Sequence, residues 1–404
     1  MQTYLLDWAN LLLRWLHVIV GIAWIGASFY FVWLDNHLVK PTAEALKARG
    51  VDGELWAVHG GGFYNPQKYL VAPPDLPEHL HWFYWESYWT WMSGFALFVL
   101  LYLCNASSFL IDPQVHAWSG PAPAVAAALG LLAGGWVVYD AVCRAFGQTR
   151  NEAGRVVIGN DGRVLALMAG VVVLAAWASC HLFAGRAAFL IVGAMLATMM
   201  SANVFFWIIP GQKTVIADMR AGRPVDPVYG QRGKQRSVHN TYFTLPVLIA
   251  MLSNHYGWLY GHAWNWALLA ALMLAGALVR TFFVKRHKGV NAWGLVVIVL
   301  AILAALIVLL RPDAPAVASS APAPSTAQVA AIVQQRCLPC HNAAFAQKDV
   351  HLQTPELIEQ HAAQIYQQVV LQKTMPLNNA TQITDDERAL IGRWFEARRP
   401  IIGP

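Results

Sequence analysis

Eight apolar runs of about 20 residues, separated by polar connections, occupy the first 311 positions of this 404-residue chain. A run of that length crosses the ~30 Å hydrocarbon core of a bilayer as one helix. Inside lipid every backbone N–H and C=O must bond within its own segment, so the pattern points to a helical bundle. The runs cover roughly 10–34, 87–109, 123–145, 164–183, 187–209, 240–258, 263–284 and 290–310. Composition agrees, with 57% hydrophobic and 12% charged residues and 18 tryptophans suited to interfacial belts. The expected fold class is all-α, with a polytopic bundle of eight transmembrane helices in residues 1–311. The first run lacks a basic segment ahead of it and is too long for an ordinary cleaved leader, so it is expected to remain as a helix.

Lys and Arg distribution orients the bundle. The connections after the first, third, fifth and seventh runs hold 18 basic residues, whereas the opposite connections hold only Arg186. The basic side is therefore cytoplasmic, and an even number of crossings places both ends of the bundle in the periplasm. Arg311 then leads into an Ala/Pro/Ser stretch, residues 312–326, which reads as a flexible linker. The net charge of +6 follows this topology, and no nucleic-acid-binding motif accompanies it. Cys104, Cys143 and Cys180 fall in or beside apolar runs and read as small packing residues.

Residues 327–404 carry a different signal, Cys337-Leu338-Pro339-Cys340-His341. Two thiols at this spacing add across the vinyl groups of a haem, and the adjacent His supplies an axial ligand. A zinc site would need two further ligands nearby. Met375 lies 34 residues beyond His341 and would close the sixth position. Residues 328–336 read as a helix leading into the motif. Thr384-Asp385-Asp386-Glu387 reads as a cap on a closing helix with apolar Leu390, Ile391, Trp394 and Phe395. The tail resembles a small class I cytochrome c carrying one covalent haem c, and its expected periplasmic position agrees with the charge bias.

Polar side chains within the apolar runs are costly and mark candidate sites. Arg14, His17, Gly21, Trp24 and Ser28 share one face of the first run, and His17 leads as a ligand to a second, non-covalent haem b. His181, His255 and His262 gather at the periplasmic ends of other runs, as haem or metal ligands or as interfacial histidines. At the cytoplasmic mouth Asp35, Asn36, His37, Glu86, Thr90, Asn203, His239, Asn240 and Thr241 supply carboxylate, imidazole and amides for binding and deprotonating a small polar substrate. Helix capping competes for Asn240 and Thr241. Glu86 stands among aromatics, where desolvation would raise its pKa. The longest connection carries His59-Gly60-Gly61-Gly62-Phe63-Tyr64, with glycines that allow close backbone approach and rings that can stack on a flat ligand. It reads as a substrate lid or as an ordinary structured loop.

The opening Leu13-Arg14-Trp15-Leu16-His17 with Trp24-Ile25-Gly26, the His59 to Tyr64 loop, Trp85-Glu86-Ser87 and the terminal CxxCH together resemble the bacterial membrane-bound urate hydroxylase family, PuuD type. The resemblance extends over essentially the whole chain. It implies oxidation of urate to 5-hydroxyisourate, with electrons passing to the cytochrome and onward to a periplasmic cytochrome or terminal oxidase. On that basis Glu86, His239 and Asn240 are the expected catalytic residues, and His59, Phe63, Tyr64 and Asn203 the expected substrate contacts. Cys337, Cys340, His341 and Met375 are expected to hold haem c. A quinol-to-cytochrome c oxidoreductase remains the rival reading. A permease fused to a redox sensor would call for paired broken helices and repeat symmetry, and neither is visible.

Overall fold

Helices dominate the computed structural model, which describes residues 2–159, 161–311, 323–344, 346 and 350–398. The bundle contains α1 (Gln2–His37), α2 (Trp85–Phe98), α3 (Pro121–Phe146), α4 (Asp161–Leu182), α5 (Gly185–Asn203), α6 (Ile209–Arg220), α7 (Pro227–Leu252), α8 (Asn265–His287) and α9 (Trp293–Leu309). Five helical segments, α1, α3, α4, α5 running into α6, and α8, are long and apolar enough to cross a membrane. The other three expected crossings are helical, but α2 and α9 are shorter. The polar first half of α7 lowers its hydropathy, and α7 starts at Pro227 rather than near 240, with Asp226 capping its N-terminus by accepting from the Val228 N–H.

Helices α5 and α7 form the centre of the bundle. Helix α5 packs on α2, α3, α4 and α7, while α8 covers α7 and α4 and carries α9 on its outer side. Small residues permit the close approaches. A Cβ on Gly193 would lie 2.8 Å from that of Ala250, where α5 crosses α7. Helix α1 lies mainly on α2, where Gly94 leaves room for the His17 ring. Two helices widen locally into π turns, α2 at Val99–Leu103 and α5 at Val204–Ile208, and the second continues directly into α6.

Three small antiparallel hairpins or ladders depart from the purely helical expectation, all in connections. Strands β1 (Val51–Glu54) and β4 (Gln67–Tyr69) enclose the β2 (Ala57–His59) and β3 (Gly62–Tyr64) hairpin, and β5 (Gln148–Arg150) pairs with β6 (Val156–Ile158). Gly60 and Gly61 have φ of +58° and +81° and make the two-residue hairpin turn, a conformation that excludes most side chains. The glycines thus serve the turn itself.

After the linker, of which residues 312–322 lie outside the described residues, α10 (Thr326–Arg336), α11 (Pro355–Gln360) and α12 (Asp385–Glu396) form a second unit. Capping boxes open α10 at Ser325/Gln328 and α12 at Thr384/Glu387. Val329, Val333, Ile391 and Trp394 anchor a core separate from that of the bundle. Arg336 binds the Glu387 carboxylate through Nε and Nη2, each at 3.1 Å, and donates from Nη1 to the Thr381 carbonyl at 2.7 Å. Burial works against ionisation of Glu387, but the Thr384 N–H and the Arg336 guanidinium outweigh it and hold the carboxyl below the usual glutamate range.

Candidate active site

The unit formed by α10 to α12 rests on the end of the bundle where α3, α5 and α8 begin, here the near end. The opposite, far end contains the most extensive buried polar array. Tyr139, Asp140 and Cys143 on α3, Asn203 on α5, and Gln235, Arg236, His239 and Asn240 on α7 are all buried. Asn203 Nδ2 donates to the Tyr139 hydroxyl at 3.1 Å and to Asn240 Oδ1 at 2.9 Å. The Tyr139 proton is then free for His239 Nδ1, 2.9 Å away. That arrangement makes Nδ1 the acceptor and leaves the neutral imidazole proton on Nε2. Nε2 faces Asp161 Oδ1 at 3.5 Å and has no hydrogen-bond partner within normal reach among the described residues. Asp161 opens α4, is about half exposed, and accepts from Gln235 Nε2 at 2.9 Å.

A buried ion pair supports this array. Arg236 Nη2 lies 2.7 Å from Asp140 Oδ1, which also accepts from Trp207 Nε1 at 2.7 Å, while Arg144 Nε occupies the second oxygen at 2.6 Å. The planar guanidinium of Arg236 also lies over the Tyr139 and Trp207 rings. Carboxylate, guanidinium and amides therefore satisfy one another around His239 and restrict its orientation.

The expected site residues divide. His239, Asn240 and Asn203 meet in the far-end array, together with the unanticipated Tyr139, Asp140 and Arg236. Capping does not account for Asn240 or Thr241, because both stand well inside α7. Asn240 Nδ2 reaches across to the Met200 carbonyl at 2.9 Å, and Thr241 bonds back to Ser237. Glu86 is half-buried at the start of α2, beside Ser87, whose hydroxyl lies 3.1 Å from that of Ser201 on α5. His59, Phe63 and Tyr64 lie exposed on the β2–β3 hairpin. Asp35 pairs with Lys68 and so ties that loop to α1, while Asn36 and His37 bond to carbonyls of their own helix. A far-end cavity of about 490 Å³ opens between Glu78, His79, Trp82, Lys213 and Arg220.

His17 stands between α1 and α2, with Nδ1 3.1 Å from both the Thr90 carbonyl and Ser93 Oγ. At the near end His181, His255 and His262 border a polar cavity of about 880 Å³, together with Arg186, Met375 and Arg388. Half-buried Asp112 lies there too, its carboxyl pushed up by burial against the pull of the Gln114 and Val115 N–H groups. The cavity is the seam between the two units. Gln372 and Thr374 sit directly on Gly257, where an added Cβ would overlap them. Among the described residues no three His, Cys, Asp or Glu side chains converge as a metal site.

Within the C-terminal unit Cys337 and Cys340 follow directly on α10, and both thiols are free. Cys337 is buried, and burial pushes its thiol up to about 11. The His341 ring bonds through Nδ1 to the Val350 carbonyl at 3.0 Å. Met375 packs on the edge of the core, and Arg388 Nη1 holds its carbonyl at 2.9 Å and also bonds that of Val369. Sequence pattern missed Arg236 and Arg280, which counted as loop charges and are in fact buried within helices. Sixteen of the 18 basic residues in those connections remain as the charge bias. Comparison of the chain with protein families matches one family model, described as urate oxidase N-terminal, over residues 3–311. Comparisons with curated proteins and with solved structures yield no match.

Proposed function

Since the chain belongs to the urate oxidase N-terminal family, we propose that it oxidises urate to 5-hydroxyisourate within a membrane bundle of eight crossings and passes the electrons to a c-type haem in its C-terminal unit. The observation that carries this reading is the Tyr139–His239–Asp161 array, buried at Tyr139 and His239 and open to solvent at Asp161, inside the region that matches the family. Urate and one water yield 5-hydroxyisourate, two protons and two electrons. A proton leaving the purine is received by the Asp161 carboxylate, which the His239 Nε2–H faces and orients, and the exposed side of Asp161 passes it to solvent at the far end. Tyr139 fixes the imidazole, Asn203 fixes Tyr139, and Asn240 holds Asn203. Water attacks the electrophilic ring carbon, so the inserted oxygen derives from water. Glu86, His59, Phe63 and Tyr64 retain their proposed roles as a second acid–base group and as contacts on the substrate's way in.

The C-terminal residues fit a haem. The His341 Nδ1–H donates to the Val350 carbonyl and leaves the Nε2 lone pair for iron, the tautomer that axial histidines adopt. Cys337 and Cys340 supply the two thioethers, and Met375 the second axial ligand. Haem c, when bound, supplies a one-electron acceptor whose potential is raised by Met/His ligation. The seam places the Met375 segment on the near end of the bundle. Asn254 follows His239 by 15 residues, about 22 Å of helix rise. That separation motivates His17, whose Nδ1 is engaged at Thr90, as the ligand of a second, b-type haem between the two ends. The charge bias supports a periplasmic near end, with haem c there facing a soluble cytochrome or terminal oxidase.

The test is an anaerobic visible spectrum of the oxidised, detergent-solubilised protein before and after urate, with a pyridine haemochrome count of c and b haems. Reduction by urate but not by xanthine or allantoin is the expected result. Reduction by quinol with no response to urate would overturn it.

A further inference from the structure

Two buried arginines at the far end have opposite surroundings. Arg236 is 3% exposed and bonds to Asp140 and Asn203. Arg280, two turns before the end of α8, is 4% exposed, yet its Nε and Nη2 have no hydrogen-bond partner among the described residues. Its guanidinium lies over the ring of Phe29 on α1, 3.9 Å from the centroid. Arginine does not shed its proton to escape such a position, and an unpaired buried charge is strongly destabilising. Nε and Nη2 form one edge of the planar guanidinium, the edge that grips two adjacent acceptor atoms side-on.

We propose that Arg280 binds the negative charge of the substrate where α1 meets α8 beside Phe29, an inference that rests on the urate reading above and deepens it. The urate monoanion is flat and presents a deprotonated ring nitrogen beside a carbonyl oxygen, the acceptor pair that this edge fits. Helix α8 packs on both α7, which carries His239, and α4, which Asp161 opens. The cation and the His239–Asp161 pair therefore share the far end of one helix cluster. Phe29 covers one face of the guanidinium and excludes water from it. Arg280 is accordingly a binding residue that discriminates anionic from neutral purines, and Phe29 positions it.

The experiment uses the full haem-loaded protein in phospholipid-free detergent, reduced with dithionite so that urate binds without turnover. Equilibrium dialysis compares labelled urate with neutral hypoxanthine for wild type, Arg280→Gln and Arg280→Lys. Loss of a charge-assisted bidentate contact should raise the urate Kd of Arg280→Gln by about 30-fold or more and leave hypoxanthine unchanged. Arg280→Lys keeps the charge without the fork and should fall between, which also serves if the Gln variant does not accumulate. An unchanged urate Kd in a variant that retains its haem would overturn the inference while the urate reading stands, and would leave Arg280 to a lipid phosphate. Failure of wild type to bind urate would overturn both.

Discussion

At the residue scale, the proposed chemistry rests on Asp161 and on the His239 imidazole that faces it. His239→Gln should leave haem content and folding intact but slow urate-dependent haem reduction about 10-fold or more, because Asp161 loses the imidazole N–H that orients it. Stopped-flow absorbance measures it. Met375→Ala should retain covalent haem and lower its potential, as redox titration would show, and an unchanged potential would remove Met375 as ligand. Asp140→Asn leaves the Arg236 charge buried with its main counter-ion gone, and should cost about 3–5 kcal/mol, read from thermal unfolding in detergent. The proposed haem-binding residues could be named from sequence because three of the four are neighbours there. Tyr139, Asp140 and Arg280 were not, because pairing and burial arise only when α3, α7 and α8 pack. Arg236 even counted as a surface charge, since its α7 segment is strongly polar in composition.

At the scale of elements, caps were the clearest signal, and Thr384 with Glu387 opens α12 as their spacing requires. The beginning of α7 was hidden because its first half is polar, which hydropathy reads as loop although the backbone is helical. The Arg336–Glu387 contact ties α10 to α12 and has a pH signature. Glu387 is held below the usual range when folded, so its stabilisation is present above the unfolded value of about 4.3 and is lost as pH falls through the lower folded value. Thermal melting of the full chain between pH 6 and 3, followed by Trp fluorescence, should show a weaker pH dependence for Glu387→Gln. The α5–α7 crossing allows no larger side chain. Gly193→Val should destabilise by about 1–3 kcal/mol through overpacking against Ala250, measurable by thermal unfolding.

At the scale of the whole molecule, two units with separate cores meet at one seam. Gly257→Leu would overlap Gln372 and Thr374 and should displace the C-terminal unit from the bundle without disturbing either core. Urate-dependent haem reduction should slow while direct reduction by dithionite stays unchanged, and equal rates would show that this contact is dispensable. The division into an apolar body and a small capped tail was visible in hydropathy alone, but which faces meet depends on shape. Helices α5 and α6 with the π turn between them form one rod of 36 residues, about 54 Å, well beyond the hydrocarbon thickness. The π turn at Val204–Ile208 separates Asn203 from the segment that carries Lys213 and Arg220. A π turn takes up one residue more than an α turn, so deleting one there would restore regular α-helix with the flanking segments nearly in phase, but would remove the local bulge from which Trp207 reaches Asp140. Over evolutionary time, then, insertions and deletions should accumulate in the exposed hairpins, whereas this uninterrupted rod should hold its length residue for residue.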